Sequence, residues 1–296
     1  MSVVKKICDL ATEVWALGFV RGGLQSVMES DHLEVDWVKM PKDRWYADPF
    51  VLDVTDEEIL LLVEDYSYAT RKGIISLLHI NRSTMEITAR KEVLELSTHL
   101  SFPAIWRKEG HIYVYPESAK SGKLDMYEYD ADKEELAFIG TICDDVVWDS
   151  YITDAFDEPL MFTAAHYDTI LDIYSWNPEK ERFIPYRQIY QESRNMRMGG
   201  GVFLYNDSVY LPAQNNNKTY GGAIDIKRID YTNGEFTFET EKHIESPNKR
   251  YPLGLHTMNE YKGVVVIDVK GYRYGKVGEM IAKLVALKKQ QKNMNK

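Results

Sequence analysis

The chain has 296 residues, 44% of them hydrophobic, and a formal net charge of −10. This hydrophobic content supplies a sizeable core, while the acidic balance argues against a nucleic-acid backbone as partner, which calls for a basic footprint. With only two cysteines, Cys8 and Cys143, there is neither a disulfide framework nor paired-cysteine metal spacing, and both are expected as buried thiols.

The N-terminus reads Met1-Ser2-Val3-Val4-Lys5-Lys6, but Asp9 and Glu13 interrupt the apolar run that a secretion signal needs. No stretch approaches the length of a membrane span. A cytoplasmic protein without membrane insertion is therefore expected. Lys5–Ala16 is expected as a short helix, with Ile7, Leu10, Ala11 and Val14 on one face. Trp15–Val20 and Leu33–Met40 read as strands, with a turn at Gly22-Gly23.

From Ala47 onward a pattern recurs five times: a polar turn, a strand, a tight turn, and a second strand ending in a polar residue. The copies open at Ala47-Asp48-Pro49-Phe50, Ser101-Phe102-Pro103-Ala104, Asp149-Ser150-Tyr151-Ile152, Gly200-Gly201-Val202-Phe203 and His256-Thr257-Met258-Asn259. Their second strands end at Glu64, Glu117, Ala164, Gln214 and Asp268. The period of roughly 50 residues is that of a propeller blade. The first four copies continue into an outer hairpin, as in Gly73–Ile80 with Thr88–Leu94 and Leu124–Tyr129 with Glu135–Ile142. The pattern predicts an all-β, five-bladed propeller over 1–275, with a C-terminal helix and tail over 276–296. The helix is marked by Val277, Ile281, Leu284, Val285 and Leu287 at helical spacing. The fifth copy has only two strands of its own, so the N-terminal strands are expected to complete its blade and close the ring.

In each blade the start of the first strand and the end of the second share one face. A ring of polar residues therefore gathers at one mouth: Asp48 and Glu64; His99, Ser101 and Glu117; Asp149 and His166; Arg197, Gly200 and Gln214; His256, Asn259 and Asp268. Asp48, Ser101, Asp149 and His256 are expected deepest. Paired carboxylates facing one cleft suit glycoside hydrolysis, in which one donates a proton and another activates water or attacks the sugar. Burial and mutual repulsion separate their pKa values. An Asp before Pro is equally a common turn residue, so recurrence raises the functional reading for the set more than for any one member.

Trp45-Tyr46-Ala47-Asp48-Pro49-Phe50 resembles the opening motif of the five-bladed glycosidases of the arabinanase and β-xylosidase group, glycoside hydrolase family 43. The ordered series His99-Leu100-Ser101-Phe102-Pro103, Tyr115-Pro116-Glu117-Ser118, Gln214 with Tyr220-Gly221, and Gly254-Leu255-His256-Thr257-Met258-Asn259 more closely resembles a divergent branch. In that branch a similar domain forms the N-terminal half of plant glucosamine inositolphosphorylceramide transferases. The resemblance runs from about Trp15 to Asp268 and implies a carbohydrate pocket at the mouth. It implies Asp48 as general base and Asp149 as the group that tunes and orients the acid.

The general acid departs from the family pattern, because Ser101 and Gly200 stand where a Glu is expected. Glu117 is the favoured substitute, with Glu64 the other candidate. Gln214 and Asn259 offer donor and acceptor to sugar hydroxyls, Arg197 suits a carboxylate or phosphate, and Trp45 and Tyr220 suit stacking on a sugar. Trp106, in mid-strand, is expected in the core. His99, His166, His256 and Asp268 complete the candidate binding set. No metal or other cofactor is expected. Three readings follow: a glycoside hydrolase first, a non-catalytic carbohydrate-recognition module serving a glycosyltransferase or polysaccharide pathway second, and a glycoside phosphorylase third. No phosphate loop, nucleophile elbow or HExxH site supports another class.

Overall fold

The computed structural model describes residues 10–165 and 167–294. They form five antiparallel sheets arranged as the blades of one wheel. Blade 1 is β3 (Arg44–Val54), β4 (Glu58–Ser67), β5 (Lys72–Asn81) and β6 (Ile87–Leu94). Blade 2 is β7 (Ser101–Lys108), β8 (His111–Glu117), β9 (Leu124–Asp130) and β10 (Glu135–Cys143). Blade 3 is β11 (Trp148–Thr153), β12 (Leu160–Ala164), β13 (Ile170–Asn177) and β14 (Arg182–Tyr190). In blade 4 the inner edge is split into β15 (Arg197–Met198) and β16 (Phe203–Tyr205), beside β17 (Ser208–Asn215), β18 (Ala223–Thr232) and β19 (Glu235–Glu245).

Blade 5 joins the two ends of the chain. Its inner pair, β20 (Gly254–Tyr261) and β21 (Val264–Tyr272), is extended by β1 (Glu13–Val20) and then β2 (Val35–Trp37). β1 runs antiparallel along β21 from Glu13↔Tyr272 to Val20↔Val265. The expected closure by N-terminal strands is therefore present. Leu17 and Phe19 pack with Tyr46, Val51, Leu61 and Val266, joining blade 5 to blade 1. Around the axis, β3 touches β20 and β7, β7 touches β11, β11 touches β15, and β17 and β18 return to β20.

Three N-terminal expectations need correction. The first five residues of the expected helix, 5–9, including Cys8, lie outside the described residues, and Glu13–Ala16 belong to β1 because the β21 edge offers them a full ladder. The Gly22-Gly23 turn leads into a helix, α1 (Gly23–Glu29), that buries Val27 fully against blade 5 with Leu24 and Met28 beside it. The strand expected over Leu33–Met40 shortens to Val35–Trp37. At the other end, α2 (Lys276–Met294) follows β21, as its periodicity predicts. No described helix is long and apolar enough to cross a membrane. Cys143 is a buried free thiol, its pKa pushed up to about 11 by that burial.

The break in blade 4 has a steric cause. Gly200 has φ +145°, and a Cβ there would lie 1.9 Å from the Met258 carbonyl oxygen. Met258 N–H donates to Gly199 O at 2.7 Å, so backbone meets backbone between blades 4 and 5. Asn259 completes the seam: its Oδ1 accepts from Gly201 N–H at 2.7 Å and its Nδ2 donates to Pro49 O at 2.9 Å. One buried amide thus ties blades 4, 5 and 1 together.

Candidate functional site

The first strand of blades 1, 2, 3 and 5 carries a bulge at its mouth end. The ladder skips between Ala47 and Phe50, Ser101 and Pro103, Trp148 and Tyr151, and Leu255 and Thr257. Asp48, Phe102 and Asp149 occupy these bulges with φ of 48°, 43° and 49°. A left-handed residue is unfavourable for most side chains and is often retained where it aims a group. Here it turns Asp48 and Asp149 toward the axis. The pairing also corrects the register of blade 2. Ser101 faces Glu117 as Ala47 faces Glu64, so Phe102, not Ser101, stands where blades 1 and 3 place Asp48 and Asp149.

The mouth holds a well of about 290 Å³. Asp48, Glu64, Glu117 and Asp149 line it, together with His99, Ser101, Arg197, Tyr220, His256 and Trp45. Trp15 and Tyr66 line it as well and were not anticipated. Tyr66 lies two positions beyond Glu64 on the same strand face, a period-2 signal that would have found it.

Behind the well, Gln214 is fully buried, and its Nε2 donates to Asp149 Oδ2 at 2.8 Å and to Met198 O at 2.7 Å. Asp268 accepts from Asp48 N–H at 3.0 Å and from Thr257 N–H at 2.6 Å. Asn259 is committed to the inter-blade seam. Gln214, Asp268 and Asn259 therefore stand outside the lining of the well, and the direct ligand contacts expected of them are corrected to supporting ones. His166 lies outside the described residues. Trp106 is half-buried: it packs against the main core, as expected, and its other side borders another cleft, with Nε1 donating to Asp154 at 2.6 Å.

Trp45 is also corrected as a stacking platform. Tyr66 stacks on it at 4.6 Å with an interplanar angle of 5°, and Trp15 lies 4.5 Å away at 40°. Both neighbours are rings, so the half-buried Tyr66 and Trp15 present aromatic surface to the well instead.

The titratable groups fall into three sets. In the first, Glu64 faces His99, whose Nε2 is 3.0 Å from Oε1, while His99 Nδ1 accepts from Gly73 N–H at 2.9 Å. That backbone donor fixes the tautomer with the ring proton on Nε2, donating to Glu64. Glu64 pulls the His99 pKa upward against burial, but a second proton would have to displace the Gly73 contact, so we take the ring as neutral. Burial pushes Glu64 up to about 7, with His99 opposing and Asp48 adding to the rise.

In the second set, Asp149 Oδ2 is bonded by Arg197 Nε as well as by Gln214. Asp149 N–H donates to Glu117 Oε2 at 3.0 Å. Burial, and then the charge of Asp149, raise Glu117 well above the carboxylate range. Burial would lower Arg197, but Asp149 outweighs it and leaves the guanidinium firmly charged.

In the third set, Asp48 Oδ2 accepts from Phe102 N–H at 3.1 Å. Its Oδ1 accepts no hydrogen bond among the described residues, although His256 Nδ1 is 3.3 Å away. His256 Nδ1 also faces Asp268 Oδ2 at 3.2 Å, and Nε2 meets Tyr220 Oη at 2.9 Å. Burial opposes the charge on His256, but Tyr220, Asp268 and Asp48 raise its pKa well above the ordinary value. Tyr220 is 44% exposed overall; burial on the His256 side raises its hydroxyl to about 12. The ligand atoms of Asp48, His256 and Asp268 lie within 4.8 Å of one another, a set able to hold a cation. The imidazolium already supplies positive charge between the two acids.

A larger cavity of about 510 Å³ lies outside the mouth, between Asn215, His243, Glu245 and Leu253. It lacks the convergent acids of the well, and size alone does not make chemistry.

Glu64 has a consequence for stability. Its folded pKa of about 7 exceeds the ordinary 4.5, so the folded state holds the extra proton and loses stability as pH rises through that window. Glu64→Gln keeps an acceptor for His99 and removes the cost. It is expected to gain about 1–3 kcal/mol over the parent protein above pH 7 and little near pH 4, read as the urea midpoint at several pH values. Parallel pH profiles for the two proteins would contradict this account of Glu64.

The sequence matches the family described as "Glucosamine inositolphosphorylceramide transferase 1, N-terminal" over residues 36–252. Glucosamine inositolphosphorylceramide transferase 1 of Oryza sativa subsp. japonica is 25% identical over 232 residues, 73% of this chain and 29% of that protein. The Arabidopsis thaliana protein of the same name is 27% identical over 222 residues, 66% of this chain and 27% of its own length. The chain thus spans under a third of the curated relatives it matches. Among solved structures, a family 43 β-xylosidase/α-arabinofuranosidase from a compost microbial metagenome, in complex with xylotriose, superposes with a TM-score of 0.55 at 13% identity. That match covers 78% of this chain and 92% of the other. A family 43 enzyme from Xanthomonas citri gives 0.53 at 12% identity, covering 78% and 88%. At these identities the structural likeness establishes the propeller.

Proposed function

The chain belongs to the glucosamine inositolphosphorylceramide transferase 1 N-terminal family, and from that membership and the acid-lined well we propose that it cleaves a glycosidic bond in a glycan or glycoconjugate. One arrangement carries the reading: Glu117, whose pKa burial and the Asp149 charge push well above the carboxylate range, lies beside Asp149 in the same well that contains Asp48. Glu117 Oε2 accepts from the Asp149 backbone, which leaves Oε1 to carry the proton toward the glycosidic oxygen. Asp48 Oδ1, which accepts no hydrogen bond among the described residues and lies 3.3 Å from His256 Nδ1, takes the proton of the attacking water. Arg197 and Gln214 fix Asp149, whose charge keeps the Glu117 proton in place. Tyr66 and Trp15 supply apolar ring surface for a sugar face.

A second reading, a carbohydrate-recognition module serving a glycosyltransferase, draws on Phe102. The bulge of blade 2 carries no acid, and the relatives are transferases by name. The phosphorolytic alternative loses ground because Arg197 is already paired with Asp149.

The test compares the parent protein with Asp48→Asn on aryl glycosides and oligosaccharides. Turnover that falls by about 10²–10⁴-fold in the variant is expected. Sugar binding by both proteins without turnover would replace the hydrolase with the recognition module. Turnover undiminished in the variant would remove Asp48 from the chemistry.

A further inference from the structure

The aromatic stack of Tyr66, Trp45 and Trp15 is a wall with two sides. One side is the well. The other is a cleft of about 330 Å³ that shares Trp15 and Trp45 with it. The two cavities differ in how their charges are paired. Asp48, Glu64, Glu117 and Asp149 line the well, but so do Arg197, paired with Asp149, and His256, between Asp48 and Asp268. The cleft is lined by Lys42, Arg44 and Arg273 and by no acid, in a chain whose formal net charge is −10.

These cations are not equivalent. Arg44 is committed to Asp43 at 3.0 Å and to Asp65 at 3.2 Å. Lys42 and Arg273 have no carboxylate partner among the described residues. The Arg273 guanidinium lies 3.9 Å from the centroid of the Tyr68 ring and donates to Lys42 O at 3.3 Å. A guanidinium placed over a ring keeps N–H groups at its edge for an oxyanion, and Arg suits carboxylate and phosphate better than a point charge does.

We propose that this cleft is an anion subsite of the mouth, and that the ligand is a glycan bearing a phosphate or carboxylate next to the sugar held in the well. The proposal rests on the well being a sugar site. The pairing sets the orientation. The cations of the well are already matched by its own acids, whereas Lys42 and Arg273 have no carboxylate partner among the described residues and draw an anionic group across the Trp15–Trp45 wall. A neutral sugar unit then faces Glu117 and Asp48, with its charged neighbour outside.

The experiment uses three oligosaccharides alike except in one unit: a neutral form, its uronate, and its phosphodiester-linked form. Binding is measured calorimetrically at low and high salt for the parent protein and for Lys42→Gln/Arg273→Gln, with melting temperature as the check on folding. Arg273→Lys, which retains charge, stands in if the double variant melts early. At low salt an anionic form is expected to bind about tenfold more tightly than the neutral one. That advantage disappears in the double variant and shrinks at high salt, while neutral binding is unchanged; whichever anionic form gains more identifies the charged group. Equal affinity of neutral and anionic forms, or an advantage that survives the double variant, overturns the subsite and leaves the sugar reading of the well intact. Binding of none of the three removes the sugar reading, and the subsite with it.

Discussion

Glu117→Gln is expected to slow cleavage of a glycoside with a poor leaving group by about 10²–10⁴-fold, while a dinitrophenyl glycoside, whose leaving group needs no proton, is largely spared. The physical basis is the Glu117 environment. Burial and the Asp149 charge keep its proton on well above the ordinary carboxylate range. The acid works in its protonated form, so activity falls as pH rises through this raised pKa, and the alkaline limb of the pH–rate profile belongs to Glu117. The variant therefore loses that limb along with its rate. Arg197→Gln should affect the same limb indirectly. Arg197 partly offsets the Asp149 charge felt at Glu117, so its loss should move the limb to higher pH. Equal losses on both leaving groups would make Glu117 a binding or structural residue.

Gly200→Ala is expected to destabilise the fold by about 3 kcal/mol or more, among the largest effects of a single methyl group. The position has φ +145°, a conformation that side chains rarely adopt, and the new Cβ would lie 1.9 Å from the Met258 carbonyl. The neighbouring atoms are backbone, held by Met258 N–H to Gly199 O and by Asn259 Oδ1 to Gly201 N–H, so they cannot swing aside as a flexible side chain would. The prediction is read as the shift in urea midpoint. A variant as stable as the parent would mean that blades 4 and 5 do not meet through this backbone contact.

Much of this architecture was legible because the repeat is strong. Five copies of one strand pattern fixed the blade number, and the missing outer pair of the fifth copy pointed to Trp15–Val20 as the strand that closes the ring. The acids of the mouth followed from hairpin geometry, since strands return to the end from which they start. What escaped notice was finer than that. A bulge shifts which residue turns inward without leaving a mark in composition, so Ser101 was equated with Asp48 where Phe102 is its counterpart. Depth along the axis was also invisible: Gln214, Asp268 and Asn259 lie on the right inner strands, yet their side chains turn into the wheel and bond to Asp149, Asp48 N–H and Pro49 O. Trp45 illustrates a third limit. Its place beside the well is readable, but that Tyr66 and Trp15 cover it depends on the register of the β3–β4 hairpin and on β1, in another blade, being brought beside it. The helix Gly23–Glu29 is too short for its apolar spacing to stand out from a turn opened by two glycines.

The central claim is that ligand enters the acid-lined well at the mouth. Its most direct test is a crystal structure of Asp48→Asn soaked with an oligosaccharide that the protein binds. The account predicts a sugar ring in the well, against Tyr66 and Trp15 and within hydrogen-bonding reach of Glu117. A sugar seated in the larger cavity between Asn215 and Leu253, with nothing in the well, would contradict it.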